Sequence, residues 1–234
     1  MRFCSATHQQ LTGIAVIDLE WPWDIVACER TSQLYVCDMC ASVWRVSADG
    51  ADIKHWLEQL HSNTFEPLTL SVTSARLLMT SCDPNRLIQF DADGDELSRL
   101  RLPDYMQPRH AVESPTGTLI ISHRDTQLNR DVVSEVNTEG QVLHQFGGSR
   151  LIPLNLTSQL GLRFAIDAKG NIFVADTANC RILLLDAELA LRRVIIDEHQ
   201  LNYEKPLCLS YVEKSGQLFV GFHGGIAVFD VLRR

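Results

Sequence analysis

A short unit of strand, turn, strand, turn and strand is repeated along this chain, and its clearest copy spans residues 161–186. In that copy Gly170 and Asn171 form the first turn, and apolar strands lie on both sides of it. A small all-β unit of this kind cannot bury its apolar face alone, so consecutive copies must pack on one another. The repeat therefore predicts a stack of small antiparallel sheets.

The second strand of each unit aligns best, because every copy is one polar residue followed by three apolar residues. The five copies end at Val36, Met79, Ile121, Val174 and Val220. Successive ends are 43, 42, 53 and 46 residues apart, which is the spacing of propeller blades. We therefore predict an all-β fold, a β-propeller of four-stranded blades in a single domain over residues 1–234.

The first and fourth strands follow from turn residues and from apolar patterning. First strands are expected after Pro22, Pro67, Pro108, Gly161 and Pro206, because proline is tolerated at a strand start. Fourth strands are expected at 53–57, 96–102, 142–146 and 191–196. The first of these is ambiguous, since Ile53, Trp56, Leu57 and Leu60 also fit a helical stripe.

The fifth unit shows only three strands, and a spare strand at Thr12–Asp18 precedes the first unit. We predict that this strand completes the last blade, because such a clasp removes exposed sheet edges. This arrangement gives five blades. A similarity between residues 13–18 and 225–230 leaves open a second count, six blades with one incomplete.

Composition narrows the function classes. The net charge is −8, whereas nucleic-acid binders usually carry a basic face, so RNA binding ranks third among our hypotheses. No apolar run approaches the ~18 residues of a membrane span, and we predict no membrane association. The seven cysteines are odd in number and irregularly spaced. This indicates reduced thiols, as in a cytoplasmic protein.

The fourth unit resembles an NHL repeat. The resemblance is carried by the segments 167–171, 174–176 and 179–182, which include Asp176, Asn179 and Arg181. The position of Asp176 holds Asp38 in the first unit, and Ser81, His123 and Phe222 in the others. The resemblance implies a propeller like those at the carboxyl end of tripartite-motif ubiquitin ligases, where they recruit a substrate or RNA.

Three patterns suggest metal chemistry, and each is weak. Cys37 and Cys40 form a CxxC, but a zinc site needs two further ligands. His110 and His123 could belong to a zinc lyase of the amidating type, which some NHL-like propellers resemble. Asp24 could be one ligand of a calcium-dependent lactonase-like hydrolase, although calcium takes six to eight oxygens. We predict no catalytic residue, no metal and no cofactor, and keep a metal-dependent hydrolase or lyase as the alternative.

The main hypothesis is a non-enzymatic platform that recognises a protein or peptide partner through its channel face, as the substrate-recruiting part of a ubiquitin-ligase-like protein. Loops that enter the first strands of a propeller surround its channel. The predicted partner-binding residues are therefore Trp23, Asp24, Thr69, Arg109, His110, Arg163 and Cys208. The polar insertion 124–131 is expected to project as a surface loop, where partner contacts are common.

Overall fold

The structure is a computed structural model of the chain. It describes residues 2–7, 10–16, 19, 22–28, 30–38, 42–57, 68–73, 76–81, 85–147 and 162–231, with the backbone alone for 2–16. The chain divides into two compact units, Met1–Arg101 and Leu102–Arg234. The prediction of a single domain stays a prediction, and each unit is described by itself.

The first unit contains a hairpin and two four-stranded sheets. The hairpin consists of β1 (Arg2–Thr7) and β2 (Gln10–Val16). The first sheet is formed by β3 (Pro22–Cys28), β4 (Gln33–Asp38), β5 (Ser42–Ser47) and β6 (Ile53–Leu57). The second is formed by β7 (Thr69–Thr73), β8 (Arg76–Ser81), β9 (Arg86–Phe90) and β10 (Glu96–Arg101). Both sheets are antiparallel meanders in chain order.

The second unit contains three more meanders. The third sheet is formed by β11 (Met106–Glu113), β12 (Leu119–Asp125), β13 (Arg130–Val136) and β14 (Val142–Phe146). The fourth is formed by β15 (Arg163–Ile166), β16 (Ile172–Asp176), β17 (Arg181–Leu185) and β18 (Leu191–Ile196), with a 3-10 turn at Thr177–Asn179. The last sheet is formed by β19 (Cys208–Val212), β20 (Gln217–Phe222) and β21 (Gly225–Asp230).

The core lies between consecutive sheets of the same unit. In the first unit Tyr35 and Val43 of the first sheet pack with Met79 and Ile88 of the second. In the second unit two such layers exist, one formed by the third and fourth sheets and one by the fourth and last. Successive residues of a strand point to opposite faces, so the three consecutive apolar residues of each second strand place apolar side chains on both faces of its sheet.

The structure confirms the predicted all-β class and the strand order within each blade. The middle residues of the predicted apolar triplets occupy the same register position in all five sheets: Tyr35, Leu78, Ile120, Phe173 and Phe219. The predicted fourth strands are also present, and β10 ends at Arg101, one residue early. Residues 53–57 form a strand, so the helical alternative is wrong for that segment; Leu60 lies outside the described residues.

The start of the third sheet's first strand differs from the prediction. Strand β11 begins at Met106, so Pro108 lies inside it rather than before it, and the register shifts between Pro108 and His110. This is possible because β11 has a partner on one side only, β12, and proline is tolerated at bulges and on edge strands. The predicted start after Gly161 concerns a residue outside the described ranges.

The predicted clasp is not the pairing seen in the described residues. The amino-terminal strand is present as β2, but its partner is β1, in an antiparallel register that runs from Arg2↔Val16 to Thr7↔Gln10. The last sheet has three described strands. Pairing with a neighbour in sequence costs little loop-closure entropy, which favours the hairpin of β1 and β2.

The insertion 124–131 is also different from the expected surface loop. Strands β12 and β13 continue through it, with Arg124 opposite Asp131 and Asp125 opposite Arg130. The Asp125 carboxylate accepts hydrogen bonds from the backbone N–H groups of Gln127 and Leu128 and so holds the turn. Asp125 and Asp131 are both buried. Cross-strand pairing of opposite charges therefore converts the insertion into a long hairpin.

Candidate binding site at the first-strand ends

Five of the seven predicted partner-binding residues occupy one register position, repeated in the five sheets. The pairs across the first and second strands are Asp24↔Cys37, Thr69↔Thr80, His110↔Ser122, Arg163↔Ala175 and Cys208↔Gly221. The position lies next to the carboxyl end of each second strand. The five sheets thus have the same backbone register at this end, and each carries a different side chain at this position.

The two remaining residues, Trp23 and Arg109, lie at β-bulges. The register passes from Pro22↔Asp38 to Asp24↔Cys37 and, in the third sheet, from Pro108↔His123 to His110↔Ser122. The residue between each couple is the extra residue of its bulge. A bulge re-aims a side chain and is common beside functional sites.

In the first unit the predicted residues are largely engaged in the protein itself. Trp23 is half-buried and packs against the core shared by the first and second sheets, and its buried Nε1 has no hydrogen-bond partner among the described residues. Thr69 is 1% exposed, and its hydroxyl lies 2.7 Å from that of Thr80. Its role in partner binding stays untested, with little of its surface open to a partner.

Asp24 joins its sheet to the next one. Its Oδ2 accepts a hydrogen bond of 3.0 Å from the backbone N–H of Leu70, at the start of the second sheet. Two similar links exist in the second unit. The hydroxyl of Ser122 donates to the carbonyl of Leu162 at 2.6 Å, and that of Thr177 donates to the carbonyl of Pro206 at 2.7 Å. Polar residues at this end therefore hold neighbouring sheets together, a role that the sequence pattern did not reveal.

His110 is the most unusual group in the second unit. It is 8% exposed, its ring lies 4.7 Å from that of Phe164, and its Nδ1 has no hydrogen-bond partner in the described structure. Burial, and to a lesser degree the positive charge of Arg163, hold the pKa of His110 well below its ordinary value. The imidazole is therefore neutral near pH 7, with an unsatisfied polar atom.

Charged residues lie on the same sheet as His110 and on the next one. Arg109 and Arg163 are half-buried. Burial raises the pKa of Asp131, although the positive charges of Arg124 and Arg109 act in the opposite direction. Asp131 was missed in the sequence because we assigned it to a surface loop. In the sequence, Asp131 could have been found only from the spacing that places it opposite Arg124 when the two strands are extended.

His123 occupies the register position of Asp176, as the alignment predicted, since each lies two residues after the end of its apolar triplet, although β12 continues past His123 to Asp125. Its Nε2 lies 2.9 Å from the hydroxyl oxygen of Ser134, and its buried Nδ1 has no partner in the described structure. Burial lowers the pKa of His123 to about 4. The side chain is thus a neutral hydrogen-bonding group.

Cys208, the last predicted residue, is exposed on β19, and its sulfur lies over Gly221 so closely that a Cβ there would overlap it. Of the CxxC, Cys37 is buried and Cys40 lies outside the described residues. Among the described residues, no group of three or more His, Cys, Asp or Glu side chains is arranged to hold a metal ion. In the same part of the chain, no helix has the length and apolar character needed to cross a bilayer.

Comparison with solved structures identifies the fold class. The chain superposes on a streptogramin B lyase with a TM-score of 0.61 at 16% identity, covering 99% of this chain and 72% of that one. A virginiamycin B lyase from Staphylococcus aureus gives 0.56 at 12% identity, covering 90% and 70%. The WD40 propeller domain of Doa1 gives 0.65 at 11% identity, covering 99% and 86%.

These similarities and the repeated meanders define a five-bladed β-propeller. At such identities the likeness concerns the fold alone. No protein-family model matches the sequence, and no curated protein matches it. Similar structures include both an enzyme and an interaction domain, so the fold is compatible with either kind of function.

Proposed function

We propose that this chain is a non-enzymatic recognition module that binds a protein partner through the first-strand ends of its sheets. The observation that carries the proposal is the shared register position, which presents a different side chain in every sheet. A constant backbone position with a different side chain in each sheet is suited to the recognition of a partner. The bulges at Trp23 and Arg109 support it, because they turn two further side chains out of the regular pleat.

The second unit favours an anionic segment of the partner. Arg109 and Arg163 carry fixed positive charges, and guanidinium groups bind carboxylates in a planar, two-pronged geometry. His110 follows Arg109 in β11 and shares the register position of Arg163, and its neutral ring has an Nδ1 atom that is unsatisfied among the described residues. We therefore expect an extended acidic peptide to be the preferred ligand. The narrower prediction, that recruitment serves ubiquitin transfer, depends on the NHL resemblance around Asp176.

A peptide-display library enriched in Asp and Glu tests this function directly. Wild-type protein should select acidic sequences, and the variant R109A/R163A should bind the selected peptides at least ~10-fold more weakly. The variant K54A/R192A removes two charges from exposed ion pairs on fourth strands and is the matched control. Equal binding by all three proteins, or no selection by the wild type, would contradict the proposal.

Two measurements separate this function from its alternatives. Stoichiometric zinc or calcium in the purified protein, with turnover of a lactone or a cyclic peptide, would favour the hydrolase or lyase. An RNA mobility shift that weakens steeply with salt would favour RNA binding, because phosphate contacts release counterions.

A further inference from the structure

Of the phenylalanine, tryptophan and tyrosine side chains in the described residues, only that of Tyr203 is exposed. It is 62% exposed and lies in the loop that joins β18 to β19. The loop follows Ile196, the last residue of β18, and leads into Cys208, which occupies the shared register position in the last sheet. The ring therefore lies at the same end of the sheets as the candidate binding site.

The backbone at Tyr203 adopts a conformation that most side chains disfavour. Asn202 and Tyr203 both have positive φ, +51° and +61°. Asparagine tolerates this region, whereas a bulky residue is uncommon there. Strained residues of this kind persist only where their surroundings enforce the strain, and they are concentrated at binding and catalytic sites. The conformation of Tyr203 thus directs attention to what its ring can bind.

The loop engages every polar group of Tyr203. Its backbone N–H donates to the carbonyl of Glu198 at 2.7 Å, and its carbonyl accepts a hydrogen bond of 3.3 Å from the Cys180 thiol. Its phenol oxygen lies 2.9 Å from Nδ1 of His199, and the two rings meet edge to face with centroids 5.3 Å apart. Leu201, 3% exposed, anchors the loop in the core between the fourth and last sheets. What stays open is the face of a ring that is already fixed in position.

Carboxylates lie on both sides of Tyr203 in the loop. Asp197, Glu198 and Glu204 are acidic, and Lys205 is the only lysine or arginine between residues 197 and 207. The carboxylate of Asp197 is used inside the loop, where it accepts a backbone N–H at 2.9 Å. Glu198 and Glu204 form no ion pair with another described residue. The ring is therefore flanked by two carboxylates whose charge is open to a ligand.

An exposed ring beside such carboxylates has the chemistry of a cation site. The negative face of an aromatic ring attracts a positive charge that lies within about 6 Å of its centroid. A guanidinium group fits better than an ammonium group, because it is planar, stacks on aromatic faces and donates several N–H groups to carboxylates. Because the ring is already ordered, binding immobilises few further bonds.

We infer that Tyr203 forms a binding site for an arginine side chain of a partner protein. The guanidinium group stacks on the open face of the ring, and the carboxylates of Glu198 and Glu204 balance its charge. This arginine site goes beyond the function proposed above, because its ligand is cationic, whereas Arg109 and Arg163 are expected to bind an acidic segment. Neither site needs the other.

The probe is the capped tripeptide acetyl-Gly-Arg-Gly-amide. Its matched control contains citrulline in place of arginine, which has nearly the same shape and no charge. Wild-type protein with labelled tyrosine rings is titrated with each peptide and followed by NMR. The chain has four tyrosines, and the signal that is absent from Y203F belongs to Tyr203. The arginine peptide should shift this signal saturably, whereas the citrulline peptide should leave it in place at the same concentrations.

Variants of the site assign the binding to the ring and to the carboxylates, with the backbone amide signals of residues 198–205 as the readout. Y203F keeps an aromatic face and should bind the arginine peptide within ~2-fold of the wild type, whereas Y203L should bind it at least ~3-fold more weakly. E198Q/E204Q removes both charges and should also weaken binding at least ~3-fold.

Two control variants leave the site intact. E139Q/E188Q removes the same number of charges from exposed residues in the turns before β14 and β18, and it should bind the arginine peptide like the wild type. R109A/R163A should also bind this peptide like the wild type, because its substitutions concern the other site.

Three results would overturn the inference. The first is an equal shift of the Tyr203 signal by the arginine and citrulline peptides, which would show that charge is not recognised. The second is an equal loss in E198Q/E204Q and E139Q/E188Q, which would assign the attraction to net charge. The third is a loss in Y203F as large as in Y203L, which would exclude the ring face. If Y203L does not fold, the comparison of the two peptides on the wild type decides.

Discussion

The carboxylate of Asp176 accepts a hydrogen bond of 2.8 Å from the Nε atom of Arg181. The Nδ2 atom of Asn179 donates to both oxygens of the same carboxylate, at 2.9 and 2.8 Å. Asp176 is 1% exposed, so its charge is buried and balanced within one short turn. The residues that carry the NHL resemblance therefore close the connection between β16 and β17, and their role is structural.

The first prediction concerns this network. D176A should lower the free energy of unfolding by about 3 kcal/mol, because it leaves the Arg181 charge and the Asn179 amide without their acceptor. D52A is the control, since Asp52 and Lys54 form an exposed ion pair whose loss should cost less than about 1 kcal/mol. Urea unfolding at pH 7 measures both. If the two variants lost the same free energy of unfolding, the buried network would contribute no more to stability than the exposed ion pair.

The second prediction compares two glycines in the same turn of neighbouring sheets. Gly170 and Gly117 both adopt positive φ, +84° and +83°, and both donate their N–H to the residue three positions earlier. A Cβ on Gly170 would lie 3.2 Å from the Cβ of Ala187, whereas a Cβ on Gly117 would meet nothing within 4 Å.

G117V should therefore cost about 1–2 kcal/mol of stability through backbone strain alone. G170V should cost a further 1 kcal/mol or more, roughly, because of the added contact. Thermal unfolding of the two variants checks the difference. If G170V melts at the wild-type temperature, the turn assignment is incorrect.

The third prediction is a pH dependence that originates at His123. Because its folded pKa of about 4 lies below the ordinary value, the unfolded state binds more protons between pH 4 and 6.5. Stability is therefore lost as the pH falls through this window. Between pH 7 and 5, the wild type should lose about 2 kcal/mol more than H123Q.

Urea unfolding at pH 7, 6 and 5 measures this difference. His110, whose pKa is also lowered, and Asp131, whose raised pKa acts in the opposite direction, are present in both proteins. Comparison with H123Q therefore isolates the single histidine. Parallel stability curves for the two proteins would exclude a buried neutral imidazole at this position.

The fourth prediction separates structure from recognition at Asp24. D24A removes the acceptor for the backbone N–H of Leu70 and should destabilise the protein by about 1–2 kcal/mol. D24N keeps an oxygen acceptor and should stay closer to the wild type. Chemical unfolding gives both values, and peptide binding is measured in parallel. Loss of binding in both variants at unchanged stability would instead place Asp24 in the recognition surface.

Much of the fold was readable because its signals are local. The apolar triplets that end at Met79 and Val174 lie in strands, where successive side chains alternate between the two faces of the sheet. Glycines such as Gly170 mark turns that need positive φ. Register within each sheet follows from these turns. The candidate site was predicted only as a set of positions. Five of the seven residues share one register position, and their role in partner binding stays a prediction.

The contents of that site were not readable, because they depend on neighbours distant in sequence. His110 looked like an accessible ring residue, but the packing of Phe164 buries it. Thr69 and Asp24 looked available for a partner, but Thr80 and Leu70 engage them. A side chain's exposure is set by whatever covers it, and no pattern within its own strand encodes that cover.

The amino-acid order by itself therefore determined the meanders, their turns and the face to which each side chain points, since these depend on residues a few positions apart. Only the tertiary structure decided which faces are covered and where bulges turn Trp23 and Arg109. These features depend on residues distant in sequence, such as Phe164 beside His110, so no pattern within one strand encodes them.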